Sequence, residues 1–369
     1  MASVTLTAQD KFNFDGQLSG IANVSPESST WGLLNGRYLP EVNYLKKLDT
    51  VKSLYFEASA NVWGSTYFHE NDSVSTDGNI DPYRIFGRFS GKNYEVRLGL
   101  QKIDFGSAMI LRPLQWFNEI DPRDPLAITD GVQAVLGRYY FKNNANLWLW
   151  GLIGNENTRG YDVIKPYSNK PEFGGRFQYP VPKGELALSY NHRTADATDL
   201  IDNSDLEIIP EDRYGLDGKW DVGVGAWFEA VYINKRKDVG VFTHQTLATL
   251  GTDYTFPLGK GLMAVVEHMI ISYDQNTIGF SNHFNTTALS LSYPIGFFDN
   301  LSLFSTYSWE IEATSFFVNY QHDFRRNTSY LMAFYTPETP TSALVGGGEN
   351  DFVSSFSGPG LRLMLVYKH

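Results

Sequence analysis

The chain has 369 residues, a net charge of −11, 22 Tyr, 25 Phe and 8 Trp, 33 Gly and no Cys. The lack of Cys excludes a disulfide framework and Cys-based zinc, iron–sulfur or haem-attachment sites. The acidic balance argues against nucleic-acid binding, which needs a basic face, and no apolar run approaches the ~18 residues that a membrane-spanning helix requires.

Period-2 alternation recurs along the chain. In chain order it predicts 18 strands, at 12–24, 32–45, 51–68, 80–90, 93–103, 132–141, 145–154, 172–179, 185–194, 212–221, 223–234, 244–256, 261–274, 283–293, 299–308, 314–323, 328–336 and 358–367. Leu54, Phe56, Ala58, Ala60 and Val62 alternate with Tyr55, Glu57, Ser59 and Asn61; Val96 and Leu98 alternate with Glu95 and Arg97; Leu361, Leu363, Leu365 and Tyr367 alternate with Arg362, Met364, Val366 and Lys368. Successive side chains of a strand point to opposite faces. Each segment therefore has one apolar face and one mixed, polar face.

A soluble sandwich would show the same alternation, so the connections decide. The even-numbered links are short: 46–50, 91–92, 142–144, 180–184, 222, 257–260, 294–298 and 324–327. The odd-numbered links are mostly long: 25–31, 69–79, 104–131, 155–171, 195–211, 235–243, 275–282 and 337–357, with 309–313 the short exception. Short turns at one rim and long loops at the other mark an outer-membrane barrel, with the short turns periplasmic. Tyr and Trp recur near strand ends (Tyr139, Tyr179, Trp220, Tyr254, Tyr293, Tyr307, Trp309), as interfacial girdles require. The fold class is therefore all-β: one transmembrane antiparallel barrel of 18 strands, with 16 as the fallback count, spanning residues 1–369 as a single domain. An outer-membrane protein needs a secretory signal, and the opening Met1-Ala2-Ser3 has neither a basic nor an apolar region. The expectation is a mature chain with an engineered start.

The link 104–131 is the most distinctive segment, reading DFGSAMILRPLQWFNEIDPRDPLAITDG. The stretch from Arg97 to Gly131 resembles a pattern of Gram-negative porin-type barrels, including alginate-export-like and other substrate-selective porins. A strand carrying G-x-Q-x-I leads to an Asp-aromatic-Gly turn, then a loop with Pro and Phe, a D-P-x-D-P cluster and a Gly before the next strand. The resemblance covers about a tenth of the chain. It implies a third extracellular loop that folds into the lumen and narrows it. Asp121-Pro122-Arg123-Asp124-Pro125 forms a rigid double turn on any reading, because Pro fixes φ and Asp caps its own backbone. Such a loop holds Glu119, Asp121, Arg123, Asp124 and Asp130 in fixed places, while Met109–Leu111 and Trp116-Phe117 pack on the wall.

A charge facing lipid costs about 2–4 kcal/mol near the midplane. Parity then places Arg84, Arg88, Arg97, Arg138, Arg176, Arg193, Arg213, Lys219 and Arg362 inside, together with Glu57, Glu95, Glu172, Asp217, Glu229, Asp253 and Glu267. The expected constriction sets the loop acids against a basic wall of Arg84, Arg88, Arg97, Arg138 and Arg176. Such charge patterns set selectivity in pores. The structural alternative is that these side chains pair with each other across neighbouring strands.

Other signals fail. The seven His residues show no metal-binding spacing, Gly346-Gly347-Gly348 has no following Lys, and Gly223-Val224-Gly225 lies in a strand. Neither an enzyme, a metal nor a cofactor is expected. The expected function is a channel in the outer membrane of a Gram-negative bacterium for small hydrophilic solutes or ions. Outer-membrane lipid and lipopolysaccharide would surround it, as a monomer or a homo-oligomer. The alternatives are a selective porin or exporter for acidic saccharides or carboxylates, and a sleeve around a partner such as a cytochrome or lipoprotein.

Overall fold

The computed structural model describes residues 11–198, 206–277, 279–337, 356 and 358–369. The strands are β1 (Lys11–Val24), β2 (Thr30–Lys47), β3 (Ser53–His69), β4 (Val74–Ser90), β5 (Tyr94–Gln101), β6 (Val132–Tyr140), β7 (Asn146–Leu152), β8 (Glu172–Val181), β9 (Gly184–Asp196), β10 (Ile209–Asp221), β11 (Gly225–Lys235), β12 (His244–Phe256), β13 (Leu262–Asp274), β14 (Asn282–Pro294), β15 (Asp299–Ser308), β16 (Ala313–Asp323), β17 (Asn327–Thr336) and β18 (Gly358–Lys368). Each pairs antiparallel with its neighbours in chain order, and β18 pairs with β1 from Gln17↔Lys368 to Val24↔Leu361. Gly16 and His369 exchange backbone hydrogen bonds at the end of that seam. The 18-stranded barrel is closed. In lipid every backbone N–H and C=O must be paired, and closure leaves no open sheet edge.

Parity follows the expected register. Leu98, Leu363 and Leu365 are 63%, 46% and 54% exposed on the outer face, whereas Arg362, next to Leu363, is 1% exposed on the inner. Phe56 and Val96 also face outward, while Glu95 and Arg97 meet as an ion pair of 2.8 Å on the lumen side.

β4, and to a lesser extent β2, are taller than the alternation predicts, while β1 and β3 keep close to their expected lengths. The link at 69–79 shrinks to the turn between His69 and Val74, because β4 begins at Val74 and pairs Asp77, Gly78 and Asn79 with β3. Strands of 17 residues exceed the ~9–11 needed to cross the bilayer. Beyond the lipid the hydrogen-bond ladder continues, but no apolar face is required, so alternation fades there.

Candidate functional site

The third loop runs from the end of β5 to the start of β6 and lies inside the barrel. Phe105, Ala108, Ile110, Leu111, Leu114, Trp116 and Phe117 are all buried in the main apolar cluster, with Trp150, Trp227, Val231, Leu247, Val265 and Met269 of the wall. Phe105 stacks on Trp150 at 5.5 Å and meets Trp116 and Phe117 edge-on. Gly215 leaves the wall open where Leu114 and Trp116 seat. Burial of this apolar run draws the loop inward.

Three wall carboxylates take hold of it. Glu229 accepts the backbone N–H groups of Ala108 (2.7 Å) and Leu114 (3.0 Å). Glu267 accepts those of Met109 (2.7 Å), Ile110 (3.0 Å) and Leu111 (2.5 Å), and the Trp227 indole N–H (2.8 Å). Asp217 accepts the Ser107 hydroxyl at 3.0 Å while paired with Arg176. A carboxylate has about four acceptor sites, and Glu267 uses all of them on donors that no secondary structure would otherwise satisfy. Gly106 has a φ of 114°, and a Cβ there would collide with the Glu229 carboxylate. Glycine is therefore required for that approach.

The fourth loop, after β7, also enters the lumen. Arg159 pairs with Glu172 at 2.8 Å, and Asp162 pairs with Arg193 (2.8 Å) and Arg213 (2.7 Å). Gly160, at φ 57°, packs against the Gln115 backbone of the third loop. Lys165-Pro166 forms a two-residue ladder with β9. The side of the lumen from β6 to β13 is thus filled by two loops packed on each other.

The return limb of the third loop carries the predicted acids. Asp121 binds the Arg123 guanidinium through both oxygens (2.9 and 2.8 Å) and accepts its backbone N–H. Asp124 accepts the N–H groups of Leu126 (2.9 Å) and Ile128 (3.1 Å). Burial and the neighbouring Asp121 push the Asp124 carboxyl up, against those amides and Arg37. Arg123 lies over the Phe356 ring at 4.9 Å, and Arg362 over the same ring at 3.8 Å. Arg84 donates to the Thr129 carbonyl at 2.7 Å and feels Asp130. Residues 119–128 are half-buried apart from exposed Ala127, and Asp130 is exposed. Glu119 stands within electrostatic reach of the half-buried Tyr161.

The predicted basic wall divides. Arg84 reaches the return limb, and the arginines that join it near the loop acids are Arg37 of β2 and Arg362 of β18. Arg176 is spent on Asp217. Arg88, Arg97 and Arg138 gather instead around Glu95. The reason is position along the strands. These three lie near the short turns, while the loop descends from the opposite rim and crosses above them.

No protein-family model matches the chain, and no curated protein matches it. Solved structures do. OccAB4 of Acinetobacter baumannii superposes with a TM-score of 0.59 at 10% identity, over 100% of both chains. OmpT of Vibrio cholerae, an outer membrane protein described in its trimer form, gives 0.54 at 9% identity over 98% of this chain and 99% of that one. An anion-selective porin from Comamonas acidovorans gives 0.49 at 12% identity, over 98% and 100%. The chain has the fold of the outer-membrane porins.

Within that porin fold, parity had placed Glu229 and Glu267 in the lumen without revealing their task. A signal was present. Their directly paired neighbours are Asp217 and Thr249 for Glu229, and Gly251 and Ala288 for Glu267. Inward acids without a basic partner on adjacent strands require donors from elsewhere. Arg37 is inward by the same parity rule, opposite Ser19. Phe356, Arg159 and Asp162 lie in loops, where no periodicity assigns a side.

Proposed function

We propose that the protein is an outer-membrane channel for small hydrophilic solutes, with the return limb of the third loop as its charged constriction. The reading rests on one observation above all: the loop crosses the lumen and is held there by Glu229 and Glu267. The charged run from Glu119 to Asp130 then faces what remains of the passage. Glu119, Asp121, Asp124 and Asp130 stand on the loop with Arg123, and Arg37, Arg84 and Arg362 stand on the wall. Fixed charges in a narrow gap with low-dielectric walls act more strongly on a passing ion than on an open surface. Occupation of the lumen by two loops argues against a sleeve around a threaded partner. Outer-membrane lipid surrounds the apolar band, and assembly into a homo-oligomer is compatible with this reading.

The test is ion selectivity. Replacing Asp121 and Asp124 together by Asn removes two negative charges and frees the Arg123 guanidinium. Asn at 124 retains one oxygen for the loop amides, so the turn persists. The expected result is a several-fold fall in the cation-to-anion permeability ratio, read as a shifted reversal potential at low salt, with the barrel still resisting detergent when unheated. An unmoved potential would sink the constriction reading.

A further inference from the structure

Three arginines on neighbouring strands converge on one carboxylate near the short-turn rim. Arg88 of β4, Arg97 of β5 and Arg138 of β6 lie 3.8, 2.8 and 3.6 Å from the two oxygens of Glu95. Each guanidinium is backed by an aromatic ring: Arg88 over Tyr55 at 4.6 Å, Arg97 over Phe86 at 5.9 Å and Arg138 over Trp148 at 3.7 Å. Glu57 is the next acid, close to Arg88 and Arg84 and bound to the Tyr55 hydroxyl at 2.9 Å.

This arrangement is unbalanced. Three guanidiniums meet one carboxylate, and the nearest second acid already serves another arginine and a tyrosine. The Nε atoms of Arg88 and Arg138 are buried with no hydrogen-bond partner among the described residues. The side chains nonetheless remain open to the lumen, 31% exposed for Arg88, 18% for Arg97 and 13% for Arg138. A purely structural lattice would match each guanidinium with an acid, as Arg176 is matched with Asp217. Planar guanidiniums present paired N–H groups that suit oxyanions better than halides. The stacked rings hold these forks in place before a ligand arrives, which reduces the ordering that binding requires.

We infer that Arg88, Arg97 and Arg138 form an oxyanion-binding subsite in the periplasmic vestibule, below the loop constriction, that takes a phosphoryl or sulfuryl group. Glu95 is its built-in competitor: it organises the guanidiniums and occupies one side of the site. An anion entering from the periplasmic mouth meets this cluster before the loop. Binding there places a negative charge beneath the constriction.

The test is calorimetric titration of the detergent-solubilised barrel with inorganic phosphate, sulfate and chloride, alongside single-channel recording with phosphate added to one side at a time. Saturable binding of phosphate and sulfate but not chloride is expected, with current block that depends on the side of addition. Arg88→Gln, at the most exposed of the three, should weaken phosphate affinity about tenfold, the loss expected for one charge-assisted hydrogen-bonding partner. Glu95→Gln should strengthen it by a similar factor, since the competitor loses its charge. Opposite shifts from these two variants separate a binding site from a merely structural network, in which both would only lower thermal stability. A hexose phosphate in place of the free ion tells a group carried on a solute, which binds more tightly, from a site for the ion itself. Equal affinities in wild type, Arg88→Gln and Glu95→Gln, or no saturable binding at all, would overturn the inference. The reversal-potential test of the loop acids has an independent outcome, because Asp121 and Asp124 take no part in this cluster.

Discussion

Asp124 caps the backbone and, on the reading proposed above, also charges the passage. Its carboxylate caps the turn through the amides of Leu126 and Ile128, and its charge stands beside Asp121 in a crowded lumen. Burial raises its protonation point above that of an ordinary aspartate, which is about 3.9. As pH falls, Asp124 therefore takes up its proton before an exposed carboxylate does, and the proposed constriction loses one negative charge. On the proposed channel reading, permeation should become less cation-favouring as the protein is acidified, with an inflection above the ordinary aspartate range. Reversal potentials recorded across a pH series should show that step in the wild type and lose it in Asp124→Asn. A step that survives the substitution would assign it to another group. The proximity of Asp121 and Asp124 was visible in D-P-R-D-P. Their partners were not, because Arg37, Arg362 and Phe356 arrive from strands and a loop far away in the chain.

The third loop is an element without secondary structure, stabilised by what surrounds it. Its apolar run announced burial, since residues such as Ile110, Leu111, Trp116 and Phe117 have no place on a solvated flap. The means of attachment lay in the wall. Glu267 accepts three consecutive backbone amides and an indole N–H, a geometry that only an ionised carboxylate satisfies. In Glu267→Gln one oxygen becomes an NH2 group facing donors. Hydrogen bonds to charged groups contribute about 1.5–3 kcal/mol each, so the segment around Met109–Leu111 should detach while the barrel stays closed. Single-channel records should then show larger and noisier conductance, with the heat-modifiable band on gels unchanged. Quiet currents of wild-type size would show that apolar packing alone holds the loop.

At the scale of the whole molecule, one rule assigns nearly every strand residue to lipid or lumen. A one-residue slip would exchange the faces, so the register is strongly determined. Leu363 pairs with Ala22 and Leu331 on the outer face, while Arg362 beside it is buried in the lumen and donates to Asn23 at 3.2 Å. Placing a further charge one position along, as Leu363→Arg, should cost about 2–4 kcal/mol of barrel stability near the bilayer midplane. Urea titration of folding into lipid vesicles measures that loss. A variant as stable as the wild type would show that this face does not meet lipid.

The sequence by itself determined the strand count, the faces, the short and long rims and the inward fate of the third loop. The first three follow from local alternation and from the cost of placing charge or bare backbone in lipid; the last follows from the resemblance of residues 97–131 to a porin-type pattern and from the apolar run within it. It did not determine which charges meet. Arg84, Arg88, Arg97, Arg138 and Arg176 look alike along the chain, yet one reaches the loop, one pairs with Asp217 and three share Glu95. Their fates depend on height within the lumen and on the path of a loop crossing above them. Parity specifies the face of a residue but not its neighbour across the barrel, and only closure of β18 on β1 brings those neighbours within reach of one another.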